Sequence, residues 1–299
     1  MRTYLQAFFF LLQVEYGFSQ GLLFPSLLGA GNGILSLNET KGMASRYYLG
    51  SDLLPGIPLF HEINTSTTSL MVQYGLSDRV NIQAQTRYIQ NRGKADQRLI
   101  YGTPYKNRST GLQDIDLGVW LRLFQHTTPR GSLSVSSTHS ITLPLTDYTH
   151  GTDLQSLLAI GYGATGISTG VDILLQSEEG LFGALSANME YWSRQIPNKT
   201  TQGIRSGYVH PDIVAYLFLI HRCSLSGVDA FTDGFDGNFL LSRIDHSLLG
   251  LHIVKPVGSG WGLLLNAETV IAGRNTPKSA SFTLGITFAF GANQPFNTY

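Results

Sequence analysis

The last stretch of the chain, from Ala280 to Phe290, alternates apolar and small polar residues without interruption. A period of two places successive side chains on opposite faces of a β-strand. One face carries Phe282, Leu284, Ile286, Phe288 and Phe290, and the other carries Ser281, Thr283, Gly285, Thr287 and Ala289. A soluble β-sandwich would expose charged residues on its second face. Small neutral residues there favour a barrel strand whose apolar face meets lipid and whose polar face lines a lumen.

The scarcity of charge supports the same interpretation. Charged residues make up 13% of the chain and hydrophobic residues 42%, whereas a soluble domain carries about 25% charged residues. A helical membrane protein is excluded as well, because no run of about 20 apolar residues follows the N-terminus. The formal net charge is zero, which argues against a nucleic-acid partner.

Alternation recurs along the chain and predicts an all-β fold of about twelve strands, with ten or fourteen also compatible. The connections after every second strand are short, and most of the others are longer and more polar. This parity predicts a transmembrane antiparallel up-and-down β-barrel with short periplasmic turns and long outer loops. The predicted strands are 43–49, 70–74, 80–88, 112–124, 132–143, 167–175, 181–191, 212–220, 224–231, 248–254, 261–271 and 280–290, and the longest predicted loops include 90–110, 194–207 and 232–245.

The N-terminal residues have the pattern of an export signal. Arg2 precedes an apolar stretch from Leu5 to Val14, and Gly17 and Ser19 are the small residues of a cleavage site. We therefore divide the chain into a signal peptide (1–19), a flexible lead-in (20–42), the transmembrane barrel (43–290) and a C-terminal tail (291–299). The predicted location is the outer membrane of a Gram-negative bacterium.

Polar residues on the predicted inner face are the candidate functional residues. Two interpretations of them stay open: they pair across strands and fill a narrow barrel, or they line a path for a small solute. The predicted lumen-lining residues are Gln83, Gln85, Arg87, Asp114, Asp116, Trp120, Arg122, Asp172, Asn188, Glu190, Asn266 and Glu268.

The chain contains only weak matches to catalytic and cofactor-binding motifs. A GxGxxG match at 161–166 lacks a following helix, and a GxSxG match at 166–170 lies in continuous strand alternation. Ser137 and His139 share the lipid-facing side of one strand, an arrangement that resembles outer-membrane phospholipases and lipid A deacylases, although their order is the reverse of the His-x-Ser pattern. Cys223 is the only cysteine. We predict no enzymatic activity, no cofactor and no metal site.

Two turn-strand segments carry a family resemblance. Residues 74–80, Tyr-Gly-Leu-Ser-Asp-Arg-Val, and residues 111–118, Gly-Leu-Gln-Asp-Ile-Asp-Leu-Gly, resemble motifs of the bacterial outer-membrane transporter family filed under the meta pathway of phenol degradation. The resemblance covers most of residues 43–290, and the Gly-rich lead-in has a weaker likeness to the long-chain fatty-acid transporter family. The resemblance implies a barrel that passes small hydrophobic or aromatic compounds.

Together, these features predict a porin-like transport protein for small, hydrophobic or aromatic solutes, surrounded by outer-membrane lipid and working as a monomer. The alternative is a plugged barrel with a structural role or with outer loops that bind a partner. A less favoured third possibility is a lipid-acting hydrolase that uses Ser137 and His139.

Overall fold

The computed structural model describes residues 27–95, 106–146, 154–235 and 237–291, and its architecture is a closed antiparallel β-barrel. Twelve strands form the wall, and a short strand β2 (Asp52–Pro55) pairs with the outer end of β1. Two short 3₁₀ segments, Leu154–Leu158 and Phe239–Leu241, lie in loops. Among the described residues, no helix is both long and apolar enough to cross a bilayer. The wall strands are β1 (Gly33–Leu49), β3 (Glu62–Ser77), β4 (Val80–Lys94), β5 (Arg108–Thr128), β6 (Gly131–Leu143), β7 (Gly166–Ser177), β8 (Leu181–Trp192), β9 (Lys199–His210), β10 (Ile213–Ser224), β11 (Asp245–Gly258), β12 (Trp261–Arg274) and β13 (Thr276–Phe290).

Closure of the barrel joins the two ends of the described chain. β13 pairs with β1 in a register that runs from Gly33 opposite Phe290 to Tyr48 opposite Thr276. The side-chain hydroxyls of Thr40 and Thr283 lie 2.8 Å apart across this seam. Every wall strand therefore has a partner on both sides, as the absence of water in the bilayer core requires.

The distribution of apolar and polar side chains between the outside and the inside of the barrel is the reverse of that in a soluble protein. Large apolar side chains such as Leu37, Leu219 and Leu284 are exposed on the outside, whereas Thr283 and Thr287 on the inner face are buried. β13 follows the predicted alternation, with Phe282, Leu284 and Ile286 outward. Large apolar side chains on the outside and buried polar side chains on the inner face fit a barrel that spans lipid.

The two ends of the barrel differ. Five turns at one end, such as residues 78–79 and 211–212, have two or three residues, and the opposite end carries the longer connections 95–107, 144–165 and 225–244. In outer-membrane barrels the end with short turns is periplasmic. One outer connection is short where a long one is expected, because Asn275 alone links β12 to β13. Its backbone has a φ of 50°, a left-handed conformation that asparagine tolerates better than most residues.

The predicted strand boundaries need several corrections. The strand predicted at 70–74 runs from Glu62 to Ser77 as β3. The first strand begins at Gly33 rather than at Met43, so ten residues of the expected lead-in belong to the wall. Residues 199–210, predicted as part of a loop that ends at 207, form β9. Residues 225–231, predicted as strand, lie in the outer loop between β10 and β11. The last two errors compensate, which is why the predicted count of twelve is correct.

Physical reasons account for these differences. β1 carries Glu39 and Lys41 on its outer face, where they bond each other and Ser66 of β3, so the apolar alternation is interrupted. β9 has only Ile204 as a large aliphatic residue on its outer face, since Gln202 and Ser206 flank it. Without a regular apolar period, periodicity does not identify a strand.

The described part of the lead-in, residues 27–32, lies at the periplasmic end of the barrel. The amide of Gly31 donates to the carbonyl of Gly75, and the amide of Gly75 donates to the carbonyl of Asn32, at 2.9 and 2.8 Å. Leu28 packs against apolar residues on the inner face of the barrel. The predicted signal peptide (1–19) and most of the tail (291–299) lie outside the described residues.

Candidate functional site

A cavity of about 470 Å³ occupies the outer part of the lumen. Strands β4, β5, β8 and β12 contribute most of its charged residues, since their inner faces carry polar side chains at alternate positions. Inward-folded loop segments around Leu157 to Tyr162 and around Phe239 cover it from the outside. The charged side chains that line it are Arg87, Asp114, Asp116, Glu190, Arg222 and Glu268, and the aromatic ones are Tyr47, Tyr162, Trp192 and Phe239.

One wall of the cavity is built around Asp116. The Arg87 guanidinium lies 3.1 Å from the Asp116 carboxylate, measured from Nη1 to Oδ2, and the Thr142 hydroxyl donates to Oδ1 at 2.6 Å. Arg87 also donates to the Gln85 amide oxygen at 3.1 Å. These contacts hold one charged pair of opposite sign at the surface of the cavity.

A second ion pair lies on β8 and β10. The Arg222 guanidinium donates to Glu190 Oε1, and the Trp192 indole N–H donates to Oε2 at 2.8 Å. Glu190 is 1% exposed. Because a buried carboxylate is costly unless it is paired, this arrangement fixes the positions of both Arg222 and the indole ring.

Aromatic rings and a lysine hold the inward-folded loop in place. The rings of Tyr162 and Trp192 meet edge to face with centroids 5.0 Å apart. The Lys199 ammonium lies 3.9 Å from the centroid of the Tyr162 ring and bonds its hydroxyl. The Asn91 amide donates to the carbonyls of Leu158 and Ala159 at 3.2 and 3.0 Å. The loop is thereby attached to β4, β8 and β9.

All twelve predicted lumen residues lie on the inner face by strand register, but they do not form one group. Arg87, Asp114, Asp116, Glu190 and Glu268 line the cavity. Gln83, Gln85, Trp120, Asn188 and Asn266 are buried on the same inner face and lie outside its lining. Asp172 pairs with Arg205 at 2.8 Å, and Arg122 bonds Gln125 near the periplasmic turn at 2.9 Å.

The sequence analysis does not predict three functional candidates on the inner face, Lys199, Arg205 and Arg222. The first two belong to β9, which was predicted as a loop, and Arg222 was predicted at a tight turn beyond the end of a strand. The inner face of β9 carries Lys199, Thr201, Gly203 and Arg205, and its outer face is polar as well around Ile204. Alternation does not identify the strand, because its two inward charges, Lys199 and Arg205, are six positions apart.

The inner face carries an apolar cluster as well as the cavity. Its members include Phe182, Tyr216, Phe218, Leu248 and Val254 on β8, β10 and β11. No member of this cluster is among the described residues that line the cavity. The lumen is therefore divided between a polar cavity toward the outside and an apolar cluster that extends to the periplasmic turns.

Ser137 and His139 both lie on the outer face of β6. His139 Nδ1 is 3.0 Å from the Thr169 hydroxyl of β7, and Ser137 is buried between neighbouring strands, opposite Leu121 and Val171. The imidazole thus bonds a threonine on the neighbouring strand. Within the described ranges, no group of three or more His, Cys, Asp or Glu side chains could hold a metal ion.

Comparison with proteins of known structure identifies the fold of this chain. No protein-family model matches the chain, and no curated protein sequence is significantly similar to it. An outer-membrane channel from Pseudomonas putida F1 superimposes with a TM-score of 0.71 at 14% identity, over 89% of this chain and 97% of that one. The translocator domain of the autotransporter NalP from Neisseria meningitidis gives 0.48 at 13% identity over 97% and 96%, and the NanC porin gives 0.48 at 10% over 84% and 98%. The first likeness, together with the closed wall and the apolar exterior, identifies the fold as that of a bacterial outer-membrane barrel.

Proposed function

We propose that the protein is an outer-membrane channel that binds and passes small hydrophobic or aromatic solutes, and that it works as a monomer in outer-membrane lipid. The cavity inside the closed barrel is the observation that carries this proposal. A volume of about 470 Å³ lies within the range of about 300–1,000 Å³ that small-molecule sites occupy. The resemblance to barrels of the phenol meta pathway supports the same class of solute.

The composition of the cavity wall supports a solute with an apolar body and a polar group. Tyr162, Trp192 and Phe239 provide flat apolar surface, while Asp116 with Arg87 and Glu190 with Arg222 provide fixed hydrogen-bonding groups. Sites for small ligands combine an apolar lining with a few oriented polar groups in this way. The predicted lumen-lining role of the inner polar residues belongs to this proposal.

Planar-bilayer conductance of the mature chain, residues 20–299, tests the channel. A sample that migrates as a folded barrel on unheated gels is expected to give discrete conductance steps. Replacing Asp114 and Asp116 by asparagine removes two carboxylates from the cavity wall and is expected to lower the preference for cations. A folded parent protein that gives no conductance steps would contradict the channel function.

A plugged barrel is the second candidate, and the apolar cluster favours it. Side chains such as Phe182, Phe218 and Val254 are almost completely buried inside the wall, as expected where a lumen is filled by its own residues. If the barrel folds but conducts no ions, the outer loops, including 225–244, become the functional surface, which would bind a partner.

The lipid-acting hydrolase is the third candidate, and the exposure of His139 toward lipid is what favours it. Its test is release of fatty acid from phospholipid vesicles by the folded parent and by Ser137→Ala. Hydrolysis by the parent and loss in the variant would support an enzyme, whereas no hydrolysis by the parent would remove it.

A further inference from the structure

Six basic side chains point outward from the wall near its outer end and form what we call the basic patch. Strand register places Lys278 opposite Arg46 and places Arg92 opposite Arg108. The patch spans five neighbouring strands, from β13 through β1, β3 and β4 to β5, which makes it about 20 Å wide. A lysine or arginine on the lipid face is costly at the bilayer midplane and costs little at the interface, so the patch lies at the level of the lipid head groups. Its members are Lys41 and Arg46 of β1, Arg92 and Lys94 of β4, Arg108 of β5 and Lys278 of β13.

The other strands of the wall carry no comparable group of cations. Over their described residues, β6, β7 and β8 contain neither lysine nor arginine. Lys199 and Arg205 of β9 and Arg222 of β10 bond partners on the inner face. Lys255 of β11 lies near the periplasmic turn, and Arg274 of β12 makes an ion pair at 2.7 Å. A belt around the whole barrel would face any anionic membrane surface, whereas a patch on one side indicates a particular ligand.

Carboxylates neutralise only part of the basic patch. Glu39 pairs with Lys41, and Glu62 pairs with Lys94, each at 2.6 Å. Asp52 lies further out, on β2. Among the described residues, the other four cations have no carboxylate within ion-pair distance, and Arg108 donates to an amide oxygen at 3.2 Å. The cations that remain for an anionic ligand are Arg46, Arg92, Arg108 and Lys278.

The surroundings of the patch restrict the ligand further. Asn64, Gln90 and Thr110 occupy outward positions beside the cations on β3, β4 and β5. Toward the periplasm, the same side of the barrel exposes large apolar side chains such as Leu70 and Leu284. Arginine and lysine bind phosphate, amides and hydroxyls bond sugar hydroxyls, and leucine contacts acyl chains. A phosphorylated glycolipid offers all three groups in this order.

We propose that the basic patch binds a phosphorylated glycolipid of the outer leaflet. Arg46 and Lys278 bind phosphate at one edge of the patch, and Arg92 and Arg108 bind phosphate at the other. A width of about 20 Å suits a head group that carries more than one phosphate. The site is on the outside of the wall and is therefore separate from the cavity, so it does not depend on conduction through the barrel.

The test is the binding of lipid A, a phosphorylated glycolipid, to the folded mature chain in detergent, followed by native mass spectrometry. The parent is expected to bind lipid A with two phosphates more tightly than lipid A from which both phosphates have been removed. In the double variant Arg92→Gln/Arg108→Gln, the Kd for lipid A is expected to rise about 25-fold, or about fivefold for each arginine.

Arg79→Gln/Arg130→Gln is the matched control. Both arginines are exposed in periplasmic turns, one before β4 and the other after β5. The variant therefore loses the same charge at the other end of the same strands, and its Kd is expected to equal that of the parent. Arg46→Gln/Lys278→Gln is a second patch variant, in case the first does not fold on unheated gels, and a similar rise in Kd is expected.

Three results would overturn the inference. The first is a folded patch variant that binds lipid A with the Kd of the parent. The second is a parent that binds lipid A equally well without its phosphates, since apolar contacts alone would then account for binding. The third is phosphatidylglycerol that binds as tightly as lipid A, because the patch would then recognise only negative charge. Each result can be obtained whether or not the barrel conducts ions.

Discussion

At the scale of single residues, Glu190 is the most deeply buried carboxylate among the described residues. Both of its oxygens are bonded, one to Arg222 and the other to the indole of Trp192. The alternation of β8 predicts the inward position of Glu190. Its partner, Arg222, is not predicted in this way. The pairing depends on how β10 aligns with β8 across β9, and the pattern within a single strand does not contain that alignment.

Removing the guanidinium tests this pairing. Arg222→Met leaves a carboxylate buried beside one fewer cation, so the free energy of unfolding is expected to fall by about 3 kcal/mol. The measurement is denaturant unfolding of the barrel in lipid vesicles. The double variant Glu190→Gln/Arg222→Met removes both charges and is expected to recover most of the loss. A double variant as unstable as the single one would contradict a role for the unpaired charge.

At the scale of elements, Asn275 joins three parts of the outer end. Its side chain accepts from the amide of Gly50 at 2.9 Å and donates to Asp229 and to the carbonyl of Arg243 at 2.8 and 2.7 Å. It also forms the whole connection between β12 and β13. The sequence predicts a longer link there, because Gly273 and Pro277 on either side are typical of loops.

Substitutions at position 275 separate the two roles of this residue. Asn275→Gly keeps the left-handed backbone and loses the side-chain bonds, and Asn275→Ala loses both. We expect Asn275→Ala to lower the free energy of unfolding by about 2–3 kcal/mol and Asn275→Gly to lower it by about 1 kcal/mol less. Unfolding in vesicles provides the measurement. Equal losses in the two variants would show that the backbone conformation contributes little.

The carboxylate of Asp229 is one anchor of the outer loop between β10 and β11. Arg274 donates to both oxygens of Asp229 at 2.7 Å, and this hydrogen bonding, with that of Asn275, lowers the pKa of the Asp229 carboxyl. The aromatic cluster of Phe231, Phe235 and Phe239 follows directly, with ring centroids 5.0 to 5.7 Å apart. The anchor therefore positions the segment that brings Phe239 to the cavity.

This anchor should depend on pH in a defined direction. Since the folded-state pKa of Asp229 is depressed, its contribution is fully present above the ordinary aspartate pKa of about 3.9 and is lost as the pH falls through the lower folded-state value. Amide-exchange protection of residues 225–244, corrected for intrinsic rates, is expected to decrease only below about pH 4. Asp229→Asn should show reduced protection already at neutral pH. Protection that does not change with acid or with this variant would mean that the other contacts of the loop hold it without Asp229.

Prediction from the sequence is good where one face of a strand is apolar and fails where it is not. β13 has five outward apolar residues and is predicted correctly from Ala280 to Phe290. β9 has a polar outer face around Ile204 and is missed, and the first ten residues of β1 are missed because Glu39 and Lys41 interrupt the pattern. The inner polar residues are predictable one strand at a time. The cavity is not, because it depends on which strands face each other across the lumen.

At the scale of the whole molecule, closure through β1 and β13 predicts cooperative behaviour. A chain that ends before Thr276 would lack β13 and leave the edges of β1 and β12 unpaired in lipid, where unpaired backbone groups cost several kcal/mol each. We expect the full chain to show a heat-modifiable band on unheated gels and this truncated chain to show none. A folded band from the truncated chain would mean that β12 pairs directly with β1.

The seam between β1 and β13 also has a consequence for the time course of folding. Thr40 meets a partner 243 positions later in the chain, so the first strand that emerges is completed by the last one. Contacts of such long separation form slowly, because the entropy of closing the loop is lost before the contact is gained. Until residues 276–290 arrive, both edges of the growing sheet are open to pairing with another chain. The molecule therefore depends, between export and insertion, on being kept apart from its own copies.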